Sequence, residues 1–184
     1  MTCIVGYNDR VNRVLYLGAD SASVDGSMQM TIRKDPKVFA LEQFLIGFTS
    51  SWRMGQILQF EMHFDFHKPS DSDLAYLVKM ATKISTLFKE EGFATVSNNV
   101  ISGGTFVIGY NTNLYLIESD FQVSFSEKDY VAVGLGAPFA LGCLHALEKS
   151  KLAPEKKMIS ALKAAEYFTS GVRRPWRILK RKYV

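Results

Sequence analysis

Apolar residues recur along this chain with two different periods, and the switches between them divide it into blocks. Cys3 to Tyr7 and Val14 to Leu17 are rich in β-branched and aromatic residues and flank the polar break Asn8-Asp9-Arg10, a pattern that predicts a hairpin. Lys37 to Leu41 and Phe44 to Phe48, parted by Glu42-Gln43, predict a second strand pair, with Pro36 ahead of it where no ladder hydrogen bond is lost. The period then lengthens. Met54, Ile57, Leu58 and Met62 form one helical stripe, and Leu74, Leu77, Val78, Ala81, Ile84 and Phe88 form another. Between them His63 to Asp73 carries Pro69, Ser70 and Ser72, so Asp71 or Ser72 can cap the second helix and Gly92 can close it.

Strand patterns return at Thr105 to Tyr110, Leu114 to Glu118, Phe121 to Phe125 and Tyr130 to Val133, with Asn111-Thr112-Asn113 as the first turn. Pro138 suits the first turn of a helix bearing Ala140, Cys143, Leu144 and Leu147, and Pro154 begins another bearing Met158, Ile159, Leu162 and Ala165. The end, Trp176 to Val184, reads as a last strand. Strands, two helices, strands, two helices and a strand predict an α+β fold of antiparallel sheets packed together with helices outside them. A parallel sheet would alternate strand and helix singly. The 184 residues contain no repeat or linker, so 1–184 reads as one domain, long enough to bury about two-thirds of its unfolded surface.

Composition changes this picture little. Apolar residues make up 47% and charged residues 22%, which argues against extensive disorder. The net charge of +4 gathers at the C-terminus in Arg173, Arg174, Arg177, Lys180, Arg181 and Lys182. Such a cluster can meet nucleic acid or an acidic partner, but interleaved with Trp176, Ile178, Leu179 and Tyr183 it reads better as a strand with one solvated face. The two cysteines, Cys3 and Cys143, have no disulfide or zinc-knuckle spacing and fit a reducing cytoplasm. Neither a secretion signal nor a run of about 20 apolar residues is present, so no membrane partner is expected.

Three motifs invite chemistry that their neighbours withhold. Gly134-Leu135-Gly136 lies between a strand and a helix, but Phe139 holds the third glycine position, Pro138 removes an amide and no phosphate-binding lysine follows. A tight turn explains it, and no cofactor is expected. His63 and His67 could share a helix face, yet Phe64 stands where a metalloprotease needs glutamate and a third ligand is missing. His145 has no nucleophile beside it in the pattern.

Thr2 follows Met1 directly, and removal of Met1 would put a hydroxyl and a free amine on one residue. An α-amine of ordinary pKa, about 7.7–8.0, can take the hydroxyl proton directly or through water. Alone, Thr2 reads better as simply the first residue of a strand.

The segments that follow are more specific. Thr2-Cys3-Ile4-Val5-Gly6, Gly18-Ala19-Asp20-Ser21-Ala22, Lys37-Val38-Phe39, Gly47-Phe48-Thr49-Ser50-Ser51, the run Ala132 to Ala140 and Ser170-Gly171 resemble, in order and spacing, motifs of the proteasome β-subunit family, including the bacterial HslV-type peptidase. The resemblance covers most of the chain. It implies a four-layer αββα sandwich, the N-terminal nucleophile hydrolase fold, and a threonine-type endopeptidase with Thr2 as nucleophile. It implies further that Lys37 lowers the hydroxyl pKa, Asp20 orients Lys37, the backbone amide of Ser51 binds the oxyanion, and Ser170 belongs to the catalytic set. Lys34 is the competing lysine and Cys3 the competing nucleophile. A homo-oligomeric ring acting on unfolded polypeptide, fed by an AAA+ ATPase unfoldase in the cytoplasm, is implied in the same way.

Two positions depart from the family pattern. Leu135 replaces the serine of the G-S-G segment, and the supporting aspartate falls on Tyr167, with Glu166 one place away. An inactive assembly or interaction module of the same fold, and an amidase for small amides, therefore stand as alternative readings.

Overall fold

The structure, a computed structural model, describes residues 1–183. Its elements run β1 (Ile4–Asp9), β2 (Val14–Ala19), β3 (Ala22–Val24), β4 (Met30–Ile32), β5 (Val38–Leu41), β6 (Phe44–Phe48), α1 (Trp52–Phe60), α2 (Asp73–Glu90), β7 (Thr95–Ser97) and β8 (Val100–Ser102). They continue with β9 (Phe106–Tyr110), β10 (Asn113–Ile117), β11 (Val123–Phe125), β12 (Tyr130–Val133), α3 (Ala137–Ala146), α4 (Pro154–Phe168) and β13 (Arg177–Lys182). The sequence of strand and helix blocks is the expected one. The last residue of the expected final strand, Val184, lies outside the described residues.

Two antiparallel sheets form, ordered β12-β1-β2-β13 and β11-β10-β9-β6-β5. The apolar residues sort into three layers. Ile4, Leu15, Leu17, Val38, Leu45, Val107 and Val131 meet between the sheets. Cys3, Val5 and Ala132 turn the other way, onto Leu144, Met158 and Leu162 of α3 and α4. Phe44, Ile46 and Phe48 likewise turn from their sheet onto Leu58, Leu77 and Ile84 of α1 and α2. Strict alternation along β1 and β6 thus divides each strand between two cores, which produces the αββα order of layers. Each fully buried Phe, Leu or Ile contributes about 1.5–3 kcal/mol relative to exposure. The sheets approach closely because Gly47 has no side chain: a Cβ there would lie 2.8 Å from Ile4 Cγ2.

Two short hairpins, β3–β4 and β7–β8, were not foreseen from the sequence. Their strands are three residues long, and Met30, Ile32, Val96 and Val100 stay exposed. Three residues are too few to establish an alternation, so the pattern gives no signal.

Antiparallel pairing brings the ends that matter together. Ile4 pairs with Ala19, placing Cys3 opposite Asp20 and Thr2 one residue further, and Val38 pairs with Gly47, placing Lys37 beside the turn that leaves β6.

Candidate active site

Asp20 is fully buried and has four donors around it. Its Oδ1 accepts from the Cys3 amide at 3.0 Å and from Lys37 Nζ at 2.9 Å, while Oδ2 accepts from the amides of Ala22 at 3.0 Å and Arg173 at 3.4 Å. Lys37 is 2% exposed, and its ion pair with Asp20 is sealed from water. Burial pulls the Lys37 pKa below the ordinary lysine value, and the carboxylate of Asp20 opposes that pull. Lys34 is exposed.

Thr2 sits just before β1 with 6% of its surface exposed. Its carbonyl accepts from the Gly136 amide at 3.2 Å, and Gly134, at φ +94°, passes so close that any side chain there would run into that carbonyl. The turn of Gly134 to Gly136 therefore clamps the first strand, which is the tight-turn role read from the sequence. Thr2 Oγ1 donates to the carbonyl oxygen of Met1 at 2.6 Å, and Lys37 Nζ donates to the same oxygen at 3.5 Å. One acceptor thus brings the hydroxyl and the ammonium to the same point. The Met1 side chain lies over Gly171, with Ser170 Oγ 3.9 Å from its sulfur, so Ser170 borders the residue whose removal would free the Thr2 amine.

The turn from β6 into α1 already engages the Ser51 amide. Ser51 was expected to offer its amide to an oxyanion, but that N–H donates to Thr49 O at 2.6 Å, and the Ser51 hydroxyl caps α1 by accepting from Arg53 N at 3.1 Å. The kink that closes this bond puts Ser50 at φ +59°. Among the described residues the Ser50 amide has no hydrogen-bond partner, while its neighbours Thr49 and Ser51 are both engaged. The kink itself was not foreseen from the sequence, because a one-residue kink carries no compositional mark when the residue is not glycine.

Neither family departure is repaired. Leu135 is half exposed, and Tyr167 is 83% exposed. Glu166 is held by Arg174, whose Nη2 lies 2.8 Å from Oε2 and whose amide donates to Oε1 at 3.1 Å. That hydrogen bonding keeps the Glu166 carboxyl below its usual range and turned toward Arg174. Cys3, the rival nucleophile, is wholly buried, and burial pushes its thiol up to about 12. Iodoacetamide should therefore leave Cys3 unmodified in the native protein and modify it on unfolding, as peptide mass mapping can show. Because the folded state keeps the thiol proton longer than the unfolded chain, this group's stabilisation falls as pH rises from 9 toward 12. Urea unfolding of Cys3→Ala should show less of that loss.

The histidine pair does not converge. His63 is exposed, and His67 has both ring nitrogens engaged, Nδ1 with Tyr110 OH at 2.7 Å and Nε2 with Asp71 O at 3.0 Å. The basic C-terminus is largely used within the fold. Arg173 donates to the carbonyls of Glu166, Thr169 and Val172, Arg181 donates to Glu42 O, and Lys180 pairs with Glu155.

No family model and no curated protein matches the chain. Solved structures do. BPH of Thiobacillus denitrificans, in complex with epoxomicin, superposes with a TM-score of 0.84 at 16% identity, covering 100% of both chains. Eukaryotic HslV from Trypanosoma brucei gives 0.71 at 16% identity over 99% of this chain and 100% of that one. The Gly-1 mutant of Anbu from Hyphomicrobium sp. strain MC1 gives 0.72 at 13%, over 99% and 82%. The fold is that of the proteasome-type N-terminal nucleophile hydrolases. The resemblance seen in the sequence motifs and the likeness of the whole backbone agree on this point. Among the described residues no helix is long and apolar enough to cross a membrane.

Proposed function

We propose that the chain is a threonine-type endopeptidase whose nucleophile is Thr2, exposed by removal of Met1. The observation that carries the reading is the shared acceptor: the Thr2 hydroxyl and the buried Lys37 ammonium both reach Met1 O, next to an unoccupied Ser50 amide in the same cleft. With Met1 gone, Thr2 Oγ1 attacks a peptide carbonyl and its own α-amine takes the proton. Lys37, held by Asp20, supplies positive potential where the alkoxide develops. The Ser50 amide, in place of Ser51, receives the oxyanion. The leaving amine takes the proton, and water then cleaves the Thr2 ester. Ser170, beside the vacated Met1 position, supports the amine. The likeness to HslV supports a homo-oligomeric ring acting on unfolded polypeptide in the cytoplasm, supplied by an AAA+ ATPase.

The missing serine and aspartate favour a second reading, an inactive module of the same fold that serves as an assembly or interaction partner. One experiment separates the two. Intact-mass measurement of natively produced protein, before and after incubation with epoxomicin, should show loss of Met1 and then addition of one inhibitor molecule. Retained Met1 with no adduct would establish the module instead. Retained Met1 with undiminished peptide hydrolysis would remove the N-terminal-nucleophile mechanism altogether.

A further inference from the structure

Helix α4 ends without a positive charge of its own, since no basic residue lies in its last turn. The last carbonyls of a helix lack partners within it and carry partial negative charge. Thr169 meets one of them, donating both its amide and its hydroxyl to Ala165 O. The next is met from beyond the helix: Arg173 Nη1 lies 3.2 Å from Glu166 O, 3.0 Å from Thr169 O and 2.7 Å from Val172 O.

These oxygens stand at every third residue and converge on one nitrogen. A terminal guanidinium nitrogen has two hydrogens, so three acceptors exceed what directed hydrogen bonds can use, and the charge itself holds the group together. That is how a cation gathers carbonyls. The Glu166 carboxylate does not join them, being held by Arg174.

The loop so gathered, Thr169 to Arg173, is the one that borders residue 1. Ser170 and Gly171 lie against Met1, the Arg173 amide donates to Asp20 Oδ2 at 3.4 Å, and the Arg173 carbonyl accepts from Ser21 N at 2.9 Å. Tyr167, at the position where the family pattern has a supporting aspartate, is 83% exposed, so the clasp on this loop comes from Arg173 instead.

We propose that the Arg173 guanidinium is a tethered cation, holding the carbonyls of Glu166, Thr169 and Val172 so that their loop places Ser170 and Gly171 beside Thr2 and completes the hydrogen bonding of Asp20. Arg173 is thus a positioning residue, acting through the loop and through Asp20. The positioning role rests on the peptidase reading above; the cation site does not.

Arg173→Ala would leave three neutral oxygens around the place of one charged nitrogen. Their distances from that centre, 2.7 to 3.2 Å, exceed the about 2.3–2.6 Å that calcium takes, and no carboxylate is among them, so a monovalent ion such as potassium suits the gap.

The test compares potassium chloride with choline chloride, whose cation is too large to enter, at equal ionic strength. Urea unfolding of the parent should be alike in the two salts. Arg173→Ala should be less stable than the parent in choline chloride and regain at least half of the loss as potassium is added, the dependence expected of an ion bound only by the folded state. In the processed protein, kcat of Arg173→Ala should fall about 10–100-fold with KM nearly unchanged, because displacing reacting groups by about 1 Å costs on the order of 100-fold. Potassium should restore kcat over the same concentration range. A folded variant with an equal loss of stability in both salts, or with no loss in either, would overturn the tethered cation. Should Arg173→Ala fail to fold in both salts, Arg173→Lys and Arg173→Gln decide: a lysine variant no more stable than the glutamine one would overturn the proposal, since only lysine keeps the charge. Stability that responds to potassium while kcat does not would overturn the positioning role and leave the cation site. No peptide cleavage and no epoxomicin adduct in the parent would overturn the peptidase reading together with the positioning role, and the unfolding data would still decide the cation site.

Discussion

Thr2→Ala should yield a folded protein that binds no epoxomicin covalently and cuts peptides at least about a thousandfold more slowly than the processed parent. The size of the loss follows from the arrangement: among the described residues no other hydroxyl shares an acceptor with Lys37, and Cys3 faces the α3–α4 core with its thiol protonated. Stability should change by no more than about 1.5 kcal/mol. The hydroxyl bonds only to Met1 O, an atom absent once Met1 is removed, so alanine deletes one small methyl and a bond already lost. Urea unfolding beside peptide turnover reads both quantities. A variant that keeps full turnover would exclude Thr2 as nucleophile, whatever the fold.

The layers of the fold were legible because they follow from alternation. Cys3, Val5 and Tyr7 against Ile4 and Gly6 already imply a strand with two buried faces, and helical stripes on either side of the second strand block supply the covers. The β3–β4 and β7–β8 hairpins were not legible, since strands of three residues are too short to leave a periodic trace. The site divides in the same manner. Asp20 and Lys37 lie 17 positions apart and meet because β2 ends and β5 begins on the same side of the sandwich, which motif order could suggest. Which amide of the Thr49–Ser51 turn is free depends on a single positive φ at Ser50. That is a tertiary accident of one chain. No local pattern encodes it.

Lys37→Ala should lower turnover on the order of 100-fold or more, by removing the charge that faces the developing alkoxide. It should also cost about 3–5 kcal/mol, because Asp20 would keep its three amide donors but lose its countercharge while staying buried. The two effects can be parted. In Asp20→Asn/Lys37→Met both charges go while side-chain volume is nearly kept, so most of the stability should return. Replacing a buried ion pair by neutral groups of similar size is often close to neutral. Turnover should not return, since the positive potential is still missing. Lys34→Ala should change neither quantity appreciably, because that side chain is exposed and Lys37 is the lysine that pairs with Asp20. Denaturant unfolding and peptide kinetics on the four proteins give the comparison. If the double variant regained activity together with stability, the pair would be a structural strut and Thr2 would need another source of activation. If Lys34→Ala alone silenced the protein, the reacting lysine would sit three residues earlier than the geometry places it.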